Sequence, residues 1–454
     1  MIFTILGVLT TQGCGGGGGD DEDNTTPTTD SSQQWTWISG SQSTNQSTTA
    51  SSPGARYGGS SWTDSDGNLW LFGGYGYDAS GTLGYLNDLW KHTSSSGTWE
   101  LISGDTTANQ PGEYGTKGTG AVSNSPGSRY ACVSWIDQSN NLWLFGGYGY
   151  DDASVTPGDL NDLWKFDGTN WIWISGSNEI DQSGEYGVKG TAAASNIPGS
   201  REASISWIDP EGANLYLFGG YGFDSSESPD ELNDLWRFNL NTKLWTWVSG
   251  NDTTNQPGSY GELGVPSTSY CPSARDSGVA WVDSAGVLWL FGGYGFGNGE
   301  GTPGALNDLW SYNTSTKEWT WVSGDDTSNQ SGTYGTRGTA TASNIPGARY
   351  YAISWTDSSD NLWLFGGYGF GSSGSSDGDL NDLWKFDGAN WTWISGSDVI
   401  NQSGVYGTQG TAAASNTPGS RDSGVSWIDS SGNLWLFGGV GSTGELNDLW
   451  KYEP

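Results

Sequence analysis

A Gly-Gly pair closes an apolar segment six times along this 454-residue chain. Successive pairs are 73, 73, 73, 74 and 72 residues apart. They lie at Gly73-Gly74, Gly146-Gly147, Gly219-Gly220, Gly292-Gly293, Gly366-Gly367 and Gly438-Gly439. A fixed period of this kind indicates a repeat architecture, in which each unit buries its apolar surface against the next. We therefore expect six equivalent units rather than the two or three domains that length alone suggests.

Each unit contains four strand patterns. Strand a follows Pro-Gly-x-Arg and alternates up to Ser-Trp or Ala-Trp, and a turn such as Asp64–Asn68 leads into strand b, which ends on the Gly pair. Strand c is the block Leu-Asn-Asp-Leu-Trp, and strand d is Trp-x-Trp-Ile/Val-Ser-Gly. Alternating apolar residues bounded by turn residues predict β-strands. All 28 Trp fall in these patterns, so none is left for a separate binding platform.

Four strands with a Gly pair, a downstream aromatic residue and a later Trp resemble the kelch repeat. From Arg201 to Gly250 is 50 residues, which is the length of a kelch blade, and the excess lies in the connection to the next unit. The resemblance covers residues 35–454. It implies an all-β fold, a six-bladed β-propeller of four-stranded blades.

The two ends of the chain complement each other. Trp35 to Gly40 is a strand d with no strands a to c before it, and the chain ends at Lys451 to Pro454, just after a strand c. We expect the N-terminal strand d to pair with the C-terminal strands a to c. This pairing would close the propeller and remove two open sheet edges.

Residues 1–14 resemble a bacterial lipoprotein signal, in which a short apolar stretch runs into Thr11-Gln12-Gly13-Cys14. The resemblance implies acylation of Cys14 and an anchored protein at the outer membrane, cell surface or periplasm. Residues 15–34 are rich in Gly, Asp, Thr and Ser and predict a flexible linker ahead of the propeller. An ordinary cleaved signal or a disordered tail remains the alternative.

The charge of the chain restricts its partners. Sixteen basic residues against 50 acidic ones give a formal net charge of −34, which repels phosphate backbones and anionic membranes. We therefore expect no nucleic-acid partner, membrane contact only through the lipid anchor, and a monomer. One histidine, His92, excludes the copper site that the resemblance to galactose oxidase would imply, and we expect it at the surface. Cys132 and Cys271 lie in different repeats, which disfavours a disulfide.

Long connections gather on one face of the predicted propeller, where the b–c and d–a loops lie. Five d–a loops have 24 residues each and share a pattern that contains one tyrosine. These tyrosines are Tyr114, Tyr186, Tyr260, Tyr334 and Tyr406. They form either an aromatic rim, suited to stacking on sugars or packing on a partner, or a set of pins that fix each loop to its neighbour.

Six arginines stand at the start of strand a, the innermost strand, and are expected to ring the channel mouth. They are Arg56, Arg129, Arg201, Arg275, Arg349 and Arg421. They either bind an anion or pair with the Asp of strand c, since a buried guanidinium needs partners. The residues that follow them vary and would shape a pocket: Tyr57, Tyr130, Glu202, Asp276, Tyr350 and Asp422.

Two loops are shorter than their counterparts. The first d–a loop, Ser41 to Ala55, has 15 residues, and the last b–c loop, Val440 to Glu445, has six. Both lie on the long-loop face, so we expect a notch there that exposes Arg56, Tyr57, Arg421 and Asp422 and admits a ligand. Relaxed constraint near the chain ends is the alternative interpretation.

These observations favour a binding module for a glycan or a protein on the long-loop face. The alternative is a small-sugar enzyme, because a kelch propeller that epimerises sialic acid has a similar shape and Glu202 supplies an acid–base group. No cofactor is predicted. Asp-rich turns such as Asp64–Asn68 offer Ca²⁺ oxygen ligands, but a hairpin turn explains them better.

Overall fold

A computed structural model describes residues 33–153, 155–374 and 376–454, and the regular structure in these ranges is entirely β. No helix of the described residues is long and apolar enough to span a membrane. Cys14 and nearly all of the predicted signal and linker lie outside the described residues.

The strands in the first half of the chain are β1 (Gln34–Ser39), β2 (Arg56–Tyr57), β3 (Ser60–Thr63), β4 (Leu69–Tyr77), β5 (Leu83–Thr93), β6 (Thr98–Ser103), β7 (Arg129–Tyr130), β8 (Val133–Ile136), β9 (Leu142–Phe145), β10 (Tyr148–Gly149), β11 (Gly158–Asp159), β12 (Leu163–Phe166), β13 (Trp171–Ser175), β14 (Arg201–Glu202), β15 (Ile205–Ile208), β16 (Asn214–Phe223), β17 (Pro229–Asn239) and β18 (Leu244–Ser249). Those in the second half are β19 (Arg275–Asp276), β20 (Val279–Val282), β21 (Val287–Gly295), β22 (Gly304–Asn313), β23 (Glu318–Ser323), β24 (Arg349–Tyr350), β25 (Ile353–Thr356), β26 (Leu362–Phe365), β27 (Tyr368–Phe370), β28 (Asp377–Asp379), β29 (Leu383–Phe386), β30 (Trp391–Ser395), β31 (Val425–Ile428), β32 (Leu434–Phe437), β33 (Val440–Gly441), β34 (Gly444–Glu445) and β35 (Leu449–Glu453).

Six four-stranded antiparallel blades form from these strands in the described part of the chain. Blades 1 to 6 contain, from the inside outwards, β3-β4-β5-β6, β8-β9-β12-β13, β15-β16-β17-β18, β20-β21-β22-β23, β25-β26-β29-β30 and β31-β32-β35-β1. Each inner strand contacts the inner strands of both neighbouring blades, and β31 contacts β3. This arrangement confirms the predicted all-β propeller fold of four-stranded antiparallel sheets.

The closing blade joins the two ends of the chain. Strand β1 pairs antiparallel with β35, with Trp35 opposite Tyr452 and Trp37 opposite Trp450. The buried Trp35 ring also packs against Phe365 of blade 5, with ring centroids 5.4 Å apart. The expected pairing of the N-terminal strand with the C-terminal strands is confirmed.

Tryptophans of five of the six inner strands donate a hydrogen bond to the next blade. In blade 3, the indole N–H of Trp207 donates to the Trp289 carbonyl of blade 4 at 2.8 Å. Trp427 of blade 6 makes the same bond to Trp70 of blade 1 at 2.9 Å, so the contact continues across the closure. A buried Trp gives large apolar contact area and needs a partner for its N–H, and this geometry supplies both.

The long d–a loops cover the outer edges of the blades. In the loop before blade 2, the Gly118 amide donates to the Trp173 carbonyl at 2.7 Å, and the Asn124 side chain donates to the Trp171 carbonyl at 3.1 Å. Blades 3 to 6 receive the same amide bond from Gly190, Gly264, Gly338 and Gly410. An uncovered edge strand invites pairing with another chain, so these loops are edge covers. The 15-residue loop before blade 1 provides no such bond to β6 among the described residues.

Aspartates of the a–b turns stabilise the hairpins. The Asp64 carboxylate accepts hydrogen bonds from the Asn68 amide at 2.8 Å and from the Trp70 indole N–H at 3.0 Å. Within the described ranges, no group of three or more His, Cys, Asp or Glu is placed to hold a metal ion. The hairpin interpretation of these turns therefore has direct support.

His92 does not lie at the surface, contrary to expectation. It is 2% exposed, and its ring lies 5.0 Å from that of Trp99 and 5.9 Å from that of Trp435. Burial lowers the pKa of His92. It occupies the position where other blades place Phe166, Phe238 or Tyr312 in strand c. The prediction of a surface position failed because a histidine replaces the usual aromatic residue there.

Candidate ligand-binding site at the channel mouth

The six arginines of the repeat are buried and paired. Arg129 makes two parallel bonds to Asp162 of strand c, at 2.5 and 2.8 Å, and a third to the Gly146 carbonyl at 3.1 Å. The other pairs are Arg56–Asp88, Arg201–Asp234, Arg275–Asp308, Arg349–Asp382 and Arg421–Asp448. The pairing interpretation is confirmed, and no guanidinium of this ring is free to bind an anion.

The predicted notch does not expose its arginines. Arg56 is 1% exposed and Arg421 is 0% exposed, as buried as their counterparts in the other blades. The expectation was wrong because the Asp of strand c and the carbonyl of the Gly pair enclose each guanidinium, whatever the length of the loop above it. Tyr57 and Asp422 are half-buried.

The five loop tyrosines are pins and not a rim. The Tyr186 hydroxyl donates to Asp234 at 2.7 Å, and its ring lies 4.9 Å from that of Trp236. Tyr114, Tyr260, Tyr334 and Tyr406 make the equivalent bonds to Asp162, Asp308, Asp382 and Asp448, at 2.5 to 2.8 Å. The side chains of Tyr114, Tyr186, Tyr260 and Tyr334 are 3 to 6% exposed, and that of Tyr406 is half-buried. The aromatic-rim interpretation is therefore wrong, because each tyrosine completes the hydrogen bonding of a buried carboxylate.

Beyond each Gly pair, the blade continues as a short ladder that surrounds the channel mouth. Gly73 and Gly74 have φ of +62° and +101°, and the register shifts there, which redirects the chain before the ladder resumes. The ladders place three concentric rings of side chains at the mouth. The inner ring is Tyr57, Tyr130, Glu202, Asp276, Tyr350 and Asp422; the middle ring is Tyr75, Tyr148, Tyr221, Tyr294, Tyr368 and Val440; the outer ring is Tyr85, Asp159, Glu231, Ala305, Asp379 and Glu445.

A closed ring of backbone hydrogen bonds lies directly below the inner ring. Gly58 donates to Ser423, Ser423 to Tyr351, and the ring continues through Ser277, Ala203 and Ala131 back to Gly58, each bond 2.8 or 2.9 Å long. All six residues have positive φ, between 53° and 62°. They line a cavity of about 160 Å³ on the channel axis. This ring fixes the base of the mouth rigidly to all six blades.

One side of the mouth is aromatic. Tyr85 of blade 1 is its centre, with ring centroids 5.0 Å from Tyr75, 5.8 Å from Tyr130 and 5.8 Å from Tyr148. Tyr57 lies 6.1 Å from Tyr130 across the boundary between blades 1 and 2. Rings and hydroxyls together suit a ligand with both apolar faces and polar edges.

The adjoining side of the mouth, on blades 2 to 4, is acidic. Burial raises the pKa of Asp159 to about 8, with Glu202 and Asp181 adding to the shift and Arg201 opposing it. Burial also raises the pKa of Glu202 to about 7, an effect that Asp276 increases and the hydrogen-bonded Tyr130 hydroxyl partly offsets. For Glu231 and Asp276, burial raises both pKa values, and Asp276 further raises that of Glu231. These four residues, Asp159, Glu202, Glu231 and Asp276, are called the carboxyl arc below.

A second acidic pair lies on blades 5 and 6. Burial raises the pKa of Asp422, and the neighbouring Asp379 contributes to the shift. Burial raises the pKa of Asp379 as well. The mouth thus has perturbed carboxyls on two sides of the channel, an arrangement that occurs preferentially at functional sites.

A larger cavity, about 360 Å³, lies at the other end of the channel. Its lining repeats the same Ser-Trp-Ile/Thr segment around the ring, with Ala280 and Val282 as the variants. Ser61, Ser134 and Ser426 there already donate to backbone carbonyls of neighbouring blades. The mouth is the better candidate site because its side chains differ from blade to blade and keep unused polar atoms.

The structure brings together in the inner ring all six residues that follow the arginines, namely Tyr57, Tyr130, Glu202, Asp276, Tyr350 and Asp422. Sequence reasoning missed the outer ring, including Asp159, Glu231 and Asp379. A signal for it existed: these residues immediately precede the invariant Leu-Asn-Asp-Leu-Trp block, at a position that differs among the repeats.

The raised pKa of Asp159 gives a stability prediction with a defined sign. Between its ordinary value of 3.8 and about 8, the unfolded chain ionises while the folded chain keeps the proton, so the folded state loses stability as pH rises through this window. Asp159→Asn removes this loss. We expect the variant to unfold at higher urea concentration than wild type at pH 9 and at the same concentration near pH 4.

Asp64→Asn is the matched control, with the opposite sign. Burial acts to raise the pKa of Asp64, but hydrogen bonds from Trp70 and Asn68 outweigh it and leave the pKa lowered. The ionised Asp64 carboxylate stabilises the fold above pH 3.8, and this effect is lost in acid. The Asp64→Asn variant should therefore be less stable to urea than wild type at pH 7. An Asp159→Asn variant that is less stable than wild type at pH 9 would contradict the assignment of a buried, unpaired carboxyl.

Comparisons with known proteins agree with the repeat. A family model described as the KLHDC2/KLHL20/DRC7 Kelch-repeats domain matches residues 188–337. The chain is 27% identical over 186 residues to Mei4-dependent protein 6 of Schizosaccharomyces pombe, which is 40% of this chain and 21% of that protein. It is 23% identical over 294 residues to Kelch domain-containing protein 10 of Homo sapiens, 56% of this chain and 57% of that protein. The match thus spans about a fifth of the length of Mei4-dependent protein 6 and somewhat over half of the length of Kelch domain-containing protein 10.

Among solved structures, that of YjhT aligns with a TM-score of 0.52 and 15% sequence identity, covering 88% of this chain and 95% of that chain. At this identity the likeness concerns the fold alone. With the six four-stranded sheets and the match of residues 188–337 to a Kelch-repeats model, it supports a β-propeller that contains kelch-type repeats. Because a fold does not determine function, the residues at the channel mouth decide what this propeller binds.

Proposed function

We propose that this protein is a binding module that holds a glycan at the channel mouth, on the face of the b–c and d–a loops. The observation that carries the proposal is the break in symmetry there. The framework of each blade, including its Arg–Asp pair, repeats six times. The inner and outer rings do not repeat, because tyrosines on blades 1 and 2 lie beside carboxyls on blades 2 to 4.

A glycan suits this arrangement chemically. Sugar rings present apolar C–H faces to aromatic rings and hydroxyls to carboxyl and phenol groups, and the mouth offers Tyr57, Tyr85 and Tyr130 beside Glu202. Sites of this kind combine apolar or aromatic walls with a few placed polar groups. Pairing of the six arginines disfavours an anionic sugar, because the described mouth residues contain no unpaired guanidinium.

A small-sugar enzyme of the epimerase or mutarotase kind is the second candidate, and one observation favours it. The pKa of Glu202 is raised to about 7, near the value at which a carboxyl exchanges protons best at neutral pH. The Tyr130 hydroxyl, on the preceding blade, hydrogen-bonds Glu202 and offers a second proton-carrying group.

The two candidates separate in one experiment. The full chain is applied to a glycan array, and each sugar retained is titrated by calorimetry and followed by NMR for anomeric or epimeric exchange. We expect saturable binding that weakens at least about tenfold in Glu202→Gln, a loss of about 1.4 kcal/mol or more, with no exchange above the uncatalysed rate. Exchange that Glu202→Gln abolishes would instead identify the enzyme, and retention of no sugar at all would refute the glycan proposal.

A further inference from the structure

The carboxyl arc has no cation to neutralise it within the described chain. None of the ion pairs of the described residues includes Asp159, Glu202, Glu231 or Asp276. Arg201, the cation that acts on Asp159, makes its own two bonds to Asp234, at 2.7 and 2.8 Å. The arc therefore lacks the partner that a buried group of carboxyls ordinarily has.

Three oxygens of the arc are buried and without a hydrogen-bond partner. They are Oε2 of Glu231, Oδ1 of Asp159 and Oε2 of Glu202. Glu231 and Asp159 are 4% and 5% exposed, so water solvates them little. Unpaired buried acceptors are rare in native proteins, and each one calls for a donor.

The register shows that these groups share one surface. On blade 3, Glu202, Tyr221 and Glu231 lie opposite one another on three adjacent strands. Asp276 of blade 4 and Asp159 of blade 2 interact electrostatically with Glu231 and Glu202, respectively. The buried carboxyls of three neighbouring blades thus come together on one side of the mouth.

From this convergence we infer that the carboxyl arc is a subsite for a primary ammonium group, and that the glycan bound at the mouth is an amino sugar. An ammonium has three N–H donors and one positive charge, so it can donate to the unpaired oxygens. Its charge would replace the protons that the raised pKa values of Asp159 and Glu231 keep on the arc in its absence. The tyrosines beside the arc add the negative faces of their rings, on which a cation is also stabilised. This inference rests on the proposed function and names its ligand class.

A bound metal ion fits less well. The described residues contain no group of three or more candidate ligands close enough to hold one ion, although the arc has four carboxyls. A ligand with its own shape is needed to reach acceptors spread over three blades, and a sugar ring bearing an ammonium has that reach.

The test compares two probes that differ only in acetylation, a tetramer of glucosamine and a tetramer of N-acetylglucosamine, with tetralysine as a third. Each is titrated against the full chain by calorimetry at pH 7. We expect the glucosamine tetramer to bind at least about tenfold more tightly than its acetylated form, since acetylation removes the charge. Added salt should reduce this preference, because it screens partly exposed charges.

The variant Glu231→Gln/Asp276→Asn should lose the preference, whereas Glu262→Gln, which removes an exposed carboxylate of a d–a loop, should keep it. Because both replaced carboxyls have raised pKa values, the double variant is expected to be at least as stable as wild type, and a urea transition verifies this. Weak binding then reports the site and not unfolding.

The outcomes are distinguishable. Equal binding of both tetramers would overturn the amino-sugar inference and leave the glycan proposal intact. Tetralysine binding in place of either sugar would overturn the inference in favour of a cationic peptide site. If neither tetramer binds while neutral sugars on the array do, the ammonium subsite is wrong; if no sugar of any kind binds, the proposed function fails with it.

Discussion

Replacing Arg201 with methionine is expected to destabilise the propeller by about 3–5 kcal/mol, because breaking a buried ion pair leaves the remaining charge without compensation. Asp234 would keep only the Tyr186 hydroxyl and the Trp236 indole N–H, both at 2.7 Å. The loss is measured from the midpoint and slope of urea unfolding. Met preserves much of the volume and apolar stem of the arginine, so the charge is the principal change.

Tyr186→Phe is the matched control for the same carboxylate. It removes one hydrogen bond to Asp234 and keeps the aromatic packing on Trp236, so we expect a loss of about 2 kcal/mol. Arg201→Met costing no more than Tyr186→Phe would contradict the conclusion that these arginines serve as the buried partners of the strand-c aspartates. Such a result would reopen the anion-binding interpretation of the ring.

Deleting residues 1–41 is expected to expose the closing blade. The deletion removes β1, leaves β35 as an open edge and empties the space of the buried Trp35. Open edges pair with other chains, and loss of a buried Trp alone costs about 3–5 kcal/mol. We expect aggregation during purification, or a melting temperature lowered by roughly 10 °C or more.

The chain shortened to residues 33–454 is the control, because it retains β1 and all of its pairs with β35. It should elute as the full chain does and melt within about 2 °C of it if the predicted signal and linker contribute nothing to the propeller. If residues 42–454 matched this control in melting temperature and remained monomeric, the N-terminal strand would not be what closes the ring.

Much of the fold was accessible from sequence because its determinants are local and repeated. The Gly pair, the Leu-Asn-Asp-Leu-Trp block and the strand-d tryptophans recur with the spacing of the blades, and the orphan strand at Trp35 predicted the closure. The pairing of each Arg with the Asp of strand c was also predictable, since equal numbers of two opposite charges in one repeat need each other when buried.

The site was less accessible because its signals are differences between repeats. Loop length suggested a notch that exposes two arginines, but these arginines are as buried under the short loops as their counterparts are under the long ones. The sequence pattern pointed to Tyr114, which is buried. It did not point to Glu231 and Asp159, which precede the invariant Leu-Asn-Asp-Leu-Trp block. Only the register of the ladders beyond the Gly pairs shows that these two residues lie on the same side of the mouth as Glu202.

The central claim is that the ligand binds at the mouth and not at the opposite end of the channel. One blade permits a direct comparison, because Glu202 lies at the mouth and Ser206, four residues later, lines the cavity at the other end. Calorimetric titration of the sugar selected by the array should show affinity reduced at least about tenfold in Tyr130→Phe/Glu202→Gln and unchanged in Ser206→Val, a difference of about 1.4 kcal/mol or more. Unchanged affinity in the mouth variant with loss in Ser206→Val would contradict the account.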